Sequence, residues 1–349
     1  MNTPPALTTL RSWDPPPHWQ RILTLDAHTG GEPLRVVLSG IPDPPGDTML
    51  ARRRFLKEHH DNLRRAIMWE PRGHREMYGC LLTSPVTPGA DFGVLFMHNE
   101  GFSTMCGHGI IAVATVAVDT GLVPAAEPET VLRIDTPAGL ITAHALVERG
   151  RAVAVRFQNV PSFVVALDET AEVPGVGIVR YDLAFGGAFY AYVDAAQLAL
   201  QCIPEEIAHL VAKGMAIKHA VMSSREIRHP LEEDLGFLYG TIFIAPPLDS
   251  GADSRNVCVF ANGEVDRSPT GTGVSGRMAI HFARQQVGLG QPYRVESIVG
   301  SRFTGRVVRT TTCGPYSAVI PEVEGRAYIT GRQEFYLDPD DPFKAGFLL

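Results

Sequence analysis

Two short stretches of this 349-residue chain place a small side chain with an exchangeable proton directly before glycines. One is MCGHG, in which Cys106 precedes Gly107, and the other is SPTGTG, in which Thr270 precedes Gly271. The segment after Cys106 is too long and too apolar for a strand, and the segment after Thr270 resembles it, so both predict buried helices. Free backbone N–H groups at a helix start bind anions, and a carboxylate is a natural ligand for them.

Cys106 is the residue best suited to chemistry. A thiol at a helix start should be acidified, because the same N–H donors stabilise the thiolate. We therefore interpret Cys106 as a base or nucleophile rather than as a buried, inert cysteine. The other four cysteines are far apart and lack metal-ligand spacing, and we assign them to packing: Cys80, Cys202, Cys258 and Cys313.

The two stretches belong to a longer repeat. LDAHTGGEPLRVV and YDLAFGGAFYAYV share an aspartate and two glycines, and each precedes one of the helix starts. A glycine-containing β pattern follows each helix, as in LRIDTPAGLITAHAL and YRVESIVGSRFTGRVV. Three marks in the same order at nearly constant spacing favour duplication of one unit over chance placement of turn glycines.

Each unit is predicted to mix helices and strands. Segments such as RILTLDAH, FGVLFMH and AVAVRFQNV have the apolar character of strands, and the helix after Cys106 should end at Gly121. An amphipathic helix is predicted over 204–218, with proline at its first position.

The predicted domain organisation follows from the repeat. A Pro-rich tail covers residues 1–19, and a boundary falls near NVPSFV. We expect an N-terminal half over 20–161, joined by a C-terminal segment at about 335–349, and a C-terminal half over 162–334.

Two pseudo-symmetric helix starts facing each other would hold one carboxylate and place Cys106 and Thr270 on opposite faces of its α-carbon. Such a geometry suits removal and return of the α-proton. It needs no metal or cofactor, and we find no P-loop or dinucleotide fingerprint.

The composition is that of an ordinary globular protein, with 45% hydrophobic and 20% charged residues. The net charge of −7 without a basic cluster argues against a nucleic-acid partner. No apolar run approaches 18 residues, and the first residues lack the order of a secretory signal. We expect a cytoplasmic protein with reduced cysteines and no membrane span.

The stretches DAHTGGEPLR, EPRGHREMYG, MCGHG, GGAFY, NVCVFANGEVDRSPTGTG and GSRFTG together resemble the proline racemase family over nearly the whole chain. The resemblance implies an α+β fold of two pseudo-symmetric, diaminopimelate-epimerase-like halves. In each half a β-sheet wraps around a central buried helix, and the active site lies between the halves. A homodimer that uses no cofactor is expected.

Thr270 departs from the pattern of the two-base enzymes, since racemases and 4-hydroxyproline epimerases of the family carry cysteine at both helix starts. A hydroxyl cannot readily exchange an α-proton near neutral pH. The Cys/Thr pair resembles the trans-3-hydroxy-L-proline dehydratase branch, which needs one base. The implied function is a hydro-lyase in which Cys106 removes the α-proton and loss of water gives pyrroline-2-carboxylate.

The resemblance also assigns binding residues. The substrate carboxylate would lie on the N–H groups around Gly107 and His108 and around Gly271 and Thr272. His108 or an ordered water could protonate the leaving hydroxyl in place of the Cys106 thiol. Thr270 would be an unreactive partner on the other face, or it would only keep the helix start intact.

Three further positions match residues of the family's pocket. Asp266 would accept a hydrogen bond from the ring ammonium, or it is a turn aspartate that bonds its own backbone. Tyr78 and Phe260 would line the pocket, or they are ordinary core residues. His28 and His229 lie in similar stretches, and we interpret both as structural.

Two other functions stay open. An epimerase or racemase could use a weak second acid, such as a water held by Thr270. An inactive paralogue could bind amino acids without turning them over, although the intact MCGHG stretch argues against it.

Overall fold

The computed structural model describes residues 13–349, so most of the tail predicted over residues 1–19 lies outside the described part of the chain. Residues 13–19 contain no helix or strand. The described residues form five α-helices: α1 (Met49–His59), α2 (Asp61–Met68), α3 (Gly107–Asp119), α4 (Ile207–Ser224) and α5 (Gly271–Ala283). Short 3-10 helices cover Ala195–Leu198, Pro204–Glu206 and Glu233–Leu235.

A first series of strands surrounds α3. Its members are β1 (Gln20–Thr29), β2 (Glu32–Ser39), β3 (Tyr78–Thr83), β4 (Phe92–His98), β5 (Gly101–Phe102), β6 (Glu129–Thr136), β7 (Gly139–Glu148) and β8 (Arg151–Gln158). Strand β1 is antiparallel to β2, β2 is parallel to β3, β3 is antiparallel to β4, and β4 is parallel to β6. Strands β6, β7 and β8 then continue as an antiparallel meander.

A second series surrounds α5. Its members are β9 (Ser162–Val173), β10 (Gly177–Phe185), β11 (Phe189–Asp194), β12 (Leu238–Ala245), β13 (Ser254–Phe260), β14 (Glu264–Val265), β15 (Tyr293–Glu296), β16 (Arg302–Cys313) and β17 (Tyr316–Gly325). From β10 onward the order of pairings is the same as in the first series. Strands β11 and β12 and strands β13 and β15 form the parallel pairs, and β15, β16 and β17 form the meander.

Strands β17 and β18 (Ala327–Leu337) make the pairings that connect the two series and close the first one. Strand β17 pairs with both β8 and β9, so the hydrogen-bonded network runs through both series. The last strand, β18, returns to pair antiparallel with β1 along its whole length. This pairing begins at Ala327, earlier than the predicted residue 335. The mixed α+β class predicted from the sequence is confirmed.

Helices α3 and α5 are enclosed by the strands. Helix α3 packs against β1, β2, β7, β8, β17 and β18, and α5 packs against β9, β10, β11, β16 and β17. Every residue of α3 from Gly107 to Val118 is buried, as expected for a helix that is apolar all round. The predicted amphipathic helix begins with a 3-10 turn at Pro204–Glu206 and continues to Ser224, beyond the predicted residue 218. In the described part of the chain, no helix is long and apolar enough to cross a membrane.

The first turns of α3 and α5 touch each other backbone to backbone. A Cβ atom added to Gly107 would lie 2.5 Å from the Cα atom of Gly271, and one added to Gly271 would lie 2.7 Å from the Cα atom of Gly107. Any larger residue would therefore push the two helix starts apart. Glycine at these two positions brings Cys106 and Thr270 to one place.

Candidate active site

A closed cavity of about 20 Å³ lies where the two helix starts meet. It has room for about one water molecule. Every residue that the sequence predicted for the site lines this cavity: Cys106, Thr270, Gly107, His108, Asp266, Gly271, Thr272, Tyr78 and Phe260.

Cys106 caps the start of α3. Its Sγ atom accepts a hydrogen bond from the N–H of Gly109 at 3.2 Å and lies 3.2 Å from Nδ1 of His108. Burial raises the pKa of the Cys106 thiol well above its usual value, and the Gly109 N–H only partly offsets this effect. Burial lowers the pKa of His108, so a neutral thiol faces a neutral imidazole.

The thiol is therefore not acidified as the helix start alone predicts. The local donors are present, but the cost of removing a thiolate from water outweighs them in so closed a site. Formation of the Cys106 thiolate should therefore increase as the pH rises.

Thr270 occupies the corresponding position before α5 in a different conformation. Its φ of 66° is uncommon for a β-branched residue, and its side chain makes no capping bond. Within residues 13–349, its buried Oγ1 atom has no hydrogen-bond partner. Preserving the helix start by capping does not account for this hydroxyl, which is left free to bond a ligand.

Two carboxyl groups line the cavity near the helix starts. Asp266 accepts the N–H of Ser268 at 2.7 Å, as expected for an aspartate that bonds its own turn. Its side chain also lines the cavity. Glu32 is fully buried, and its Oε2 atom accepts the N–H of Arg267 at 2.7 Å. Among the described residues, the Oε1 atom of Glu32 has no partner. Burial, and secondly the charge of Asp266, raise the pKa of Glu32 well above its usual value.

Aromatic residues close the remaining walls. Tyr239 and Phe260 are stacked, with ring centroids 5.3 Å apart. The hydroxyl of Tyr78 lies 2.6 Å from Oγ of Ser103 and 3.4 Å from the hydroxyl of Tyr239. On the other side, the hydroxyl of Tyr190 bonds Oγ1 of Thr272 at 2.7 Å. Three tyrosines therefore line the cavity, and of these Tyr190 bonds the first turn of α5.

Sequence reasoning missed five residues that line the cavity: Glu32, Met105, Tyr190, Tyr239 and Cys258. Glu32 and Tyr190 lie in the repeated stretches GGEPLR and GGAFYA, so their positions just after the paired glycines were a usable signal. Cys258 was assigned to packing with the other cysteines, yet it forms part of the cavity wall.

The two histidines interpreted as structural lie away from this cavity. His28 accepts the N–H of Gly31 at 3.2 Å and packs on Tyr328. His229 packs among aromatic rings that include Phe185, and burial lowers its pKa to about 4.

The segment around β14 ties the second series of strands to the first at the edge of the cavity. Besides the bond to Glu32, Arg267 forms an ion pair with Glu76, and Asn262 donates to Glu100 at 2.6 Å. Inside these contacts, His98 of β4 lies 3.6 Å from Glu264 of β14. Because His98 packs against Tyr78 and Phe260, these contacts lie behind the aromatic wall of the cavity.

The site thus combines a cysteine and a threonine on touching helix starts with the buried carboxyl group of Glu32. The family model described as proline racemase matches residues 24–348, and the chain belongs to this family.

Relatives named for different activities match almost the whole chain. A trans-3-hydroxy-L-proline dehydratase of Colwellia psychrerythraea is 46% identical and covers 100% of this chain and 99% of its own. A 3-hydroxyproline 2-epimerase of Burkholderia multivorans is 48% identical over 93% of this chain and 97% of its own.

The fold is also that of a solved hydroxyproline epimerase. The structure from Agrobacterium vitis, with bound trans-4-hydroxy-L-proline, superposes with a TM-score of 0.90 at 34% identity. It covers 95% of this chain and 96% of its own.

Proposed function

We propose that this chain dehydrates trans-3-hydroxy-L-proline to pyrroline-2-carboxylate. The observation that carries the proposal is the pairing of Cys106 with Thr270 at touching helix starts, because it supplies one proton-transfer residue instead of two. The dehydratase name of the Colwellia psychrerythraea relative supports the same activity. Incubation of the purified protein with trans-3-hydroxy-L-proline should give pyrroline-2-carboxylate, and a folded protein that gives none would contradict the proposal.

The substrate carboxylate would lie between the two helix starts. The first N–H groups of a helix have no partner within it, so those of Gly107 and His108 and those of Gly271 and Thr272 converge on one anion. The Asp266 carboxylate would accept a hydrogen bond from the ring ammonium.

The elimination would be syn. In trans-3-hydroxy-L-proline the hydroxyl and the α-proton are on the same ring face, opposite the carboxylate. Cys106 would remove the α-proton as a thiolate, and the N–H donors would stabilise the charge that builds up on the carboxylate. Loss of the hydroxyl as water leaves an enamine, which tautomerises to the imine.

Thr270 would occupy the opposite ring face without taking part in proton transfer. Its free hydroxyl bonds the substrate but is too weak an acid to protonate the carbanion. The intermediate therefore loses water before it can collapse to the D-isomer.

A substrate of this size needs a larger cavity than the closed form provides. We propose that the chain consists of two pseudo-symmetric halves, 20–161 with β18 and 162–326, that move apart to admit it. The identical order of strand pairings supports the division. The polar contacts of Arg267 and Asn262 are then the ones that break and re-form.

Replacement of Asp266 by asparagine should raise KM for trans-3-hydroxy-L-proline about 10- to 100-fold with a smaller change in kcat. A hydrogen bond to a charged group is worth about 1.5–3 kcal/mol, and the amide cannot match the carboxylate toward an ammonium. Asparagine retains the oxygen that accepts the Ser268 N–H, so the melting temperature should change little. Steady-state kinetics would reject this role for Asp266 if KM stayed within threefold of the unmodified protein.

The value of kcat/KM should rise with pH from 6 to 9 without reaching a plateau. The thiolate form of Cys106 is required, and burial places the thiol pKa above its ordinary value of 9.0, so the reactive fraction grows as protons are removed. A pH profile that levels off below pH 7 would show instead that the helix start does acidify the thiol.

Epimerisation at C2 is the second candidate function, and the 48% identical Burkholderia multivorans epimerase favours it. It would convert trans-3-hydroxy-L-proline to cis-3-hydroxy-D-proline, with a water held by Thr270 as the acid. Proton NMR of the reaction in D₂O separates the two outcomes, since only epimerisation gives a stable product with deuterium at an inverted α-carbon.

We also propose that the protein is a cytoplasmic homodimer, as the resemblance implies. Light scattering of the purified chain measures its mass directly. A monomer at micromolar concentration would contradict the assembly without affecting the proposed chemistry.

A further inference from the structure

We infer that Tyr78 is the general acid that protonates the departing hydroxyl group. The inference rests on the proposed dehydration, and it gives a specific role to a residue that the sequence suggested only as part of the pocket wall. The observation that carries it is geometric: Tyr78 lines the same small cavity as Cys106 and packs on His108 at the start of α3.

A syn elimination requires the acid and the base on the same ring face. Tyr78 lines the cavity together with Cys106, and its ring lies edge-on to His108 with centroids 4.8 Å apart. The Nδ1 atom of His108 in turn lies 3.2 Å from the Cys106 sulfur, so Tyr78 belongs to the Cys106 side of the cavity. Tyr190 lies on the other side of the cavity, where its hydroxyl bonds Oγ1 of Thr272 in the opposite helix. Tyr78 is therefore the tyrosine on the side from which both the proton and the hydroxyl leave.

His108 is poorly placed to supply the proton. Its Nε2 atom lies 3.3 Å from the carbonyl oxygen of Pro33, which can only accept, so Nε2 carries the hydrogen. In the neutral ring Nδ1 is then an acceptor, and it faces the Cys106 sulfur at 3.2 Å. His108 therefore presents an acceptor nitrogen, and not a proton, to the Cys106 sulfur.

The surroundings of Tyr78 suit a neutral proton donor. The side chain is buried, and burial raises the pKa of its hydroxyl well above the usual value. The hydroxyl is therefore protonated before the C3–O bond breaks. Ser103, 2.6 Å away, can donate its own hydrogen to the oxygen that loses the proton. Tyr239, at 3.4 Å, offers a second and weaker donor.

The step balances without a further reactant. The Cys106 thiolate takes the α-proton, and the electrons of the C2–H bond form the C2–C3 double bond. The C3–O bond breaks with its electron pair on oxygen, and the Tyr78 hydroxyl supplies the proton that makes water. The tyrosinate then takes the proton held by the Cys106 thiol, so both side chains return to their starting state.

The test compares two leaving groups on the variant Tyr78→Phe. Elimination of water from trans-3-hydroxy-L-proline should fall by about 10²–10⁴-fold, the usual contribution of a positioned acid. Elimination of fluoride from trans-3-fluoro-L-proline should fall by less than tenfold, because fluoride is a weak base and leaves without a proton. Pyrroline-2-carboxylate formation measures both reactions.

The matched control is Tyr190→Phe, which removes the hydroxyl of another tyrosine that lines the same cavity. It should change the two eliminations by the same factor, since it acts on binding near Thr272. Ser103→Ala is a milder second variant, and it should slow only the loss of water. Melting temperature and binding of pyrrole-2-carboxylate verify the fold of each variant.

Three results would overturn the inference. An equal loss of both eliminations in Tyr78→Phe would make Tyr78 a positioning residue. Dehydration by Tyr78→Phe within tenfold of the unmodified protein would leave the Cys106 thiol as the acid. An unmodified protein that eliminates fluoride but never water would refute the proposed dehydration itself, and this outcome is distinct from the other two.

Discussion

Replacing Cys106 by serine should lower kcat for dehydration by about 10²–10⁴-fold while leaving the fold intact. A serine hydroxyl is a far weaker base than a thiolate, yet it has nearly the same shape and can still accept the N–H of Gly109. Steady-state measurement of pyrroline-2-carboxylate formation gives the loss. Activity within tenfold of the unmodified protein would remove Cys106 as the base.

The control for this variant is Cys202→Ser, which makes the same substitution at a buried cysteine that does not line the cavity. It should lower the melting temperature at most and leave kcat and KM unchanged. Cys106→Ser should still bind pyrrole-2-carboxylate, because the N–H groups of both helix starts are retained. Loss of that binding would indicate damage to the site instead of loss of a base.

Replacing Thr270 by cysteine should create racemisation of L-proline, or epimerisation of 4-hydroxy-L-proline, that the unmodified protein lacks. The new thiol would take the place of the unpartnered Oγ1 atom at the start of α5, on the opposite ring face from Cys106. Cysteine is not β-branched, so it should tolerate the φ of 66° no worse than threonine. Deuterium entering the α-carbon with inversion in D₂O is the expected signature.

Dehydration by the same variant should fall, because protonation from the second face competes with loss of water. Cys258 also lines the cavity, so the assay requires a reductant to prevent a disulfide with the new thiol. Thr270→Ser serves as the control, since it keeps a hydroxyl and should give no inversion. A folded Thr270→Cys protein that shows neither inversion nor altered partitioning would rule out the two-face arrangement.

The parts of the site that depend on local sequence could be predicted. Glycines after Cys106 and Thr270, followed by long apolar segments, identified both helix starts, and the observed helices begin at Gly107 and Gly271. The repeat indicated that the two starts belong together. Their contact in space follows from the small size of these two glycines.

The residues that the sequence did not reveal depend on packing between distant segments. Glu32 reaches the cavity because β2 passes beside the segment that contains Arg267. No pattern in either stretch predicts that these two segments are neighbours. Likewise, the pKa of Cys106 is set by how deeply the cavity is closed, whereas the helix start alone predicts the opposite direction. Local donors are visible in a sequence, but the exclusion of water is a property of the whole fold.

The pairing of β1 with β18 affects how the chain can fold during its synthesis. The register joins Gln20 to Leu337 and Thr29 to Ala327, so one edge of β1 stays open until β18 has been synthesised. Until then β1 is an unpaired edge beside the apolar helix that carries Cys106, and such edges favour association with other nascent chains. The strands from β9 to β17 can meanwhile pair among themselves. A chain that stops before β18 would therefore leave one edge of β1 open beside the helix that Cys106 caps.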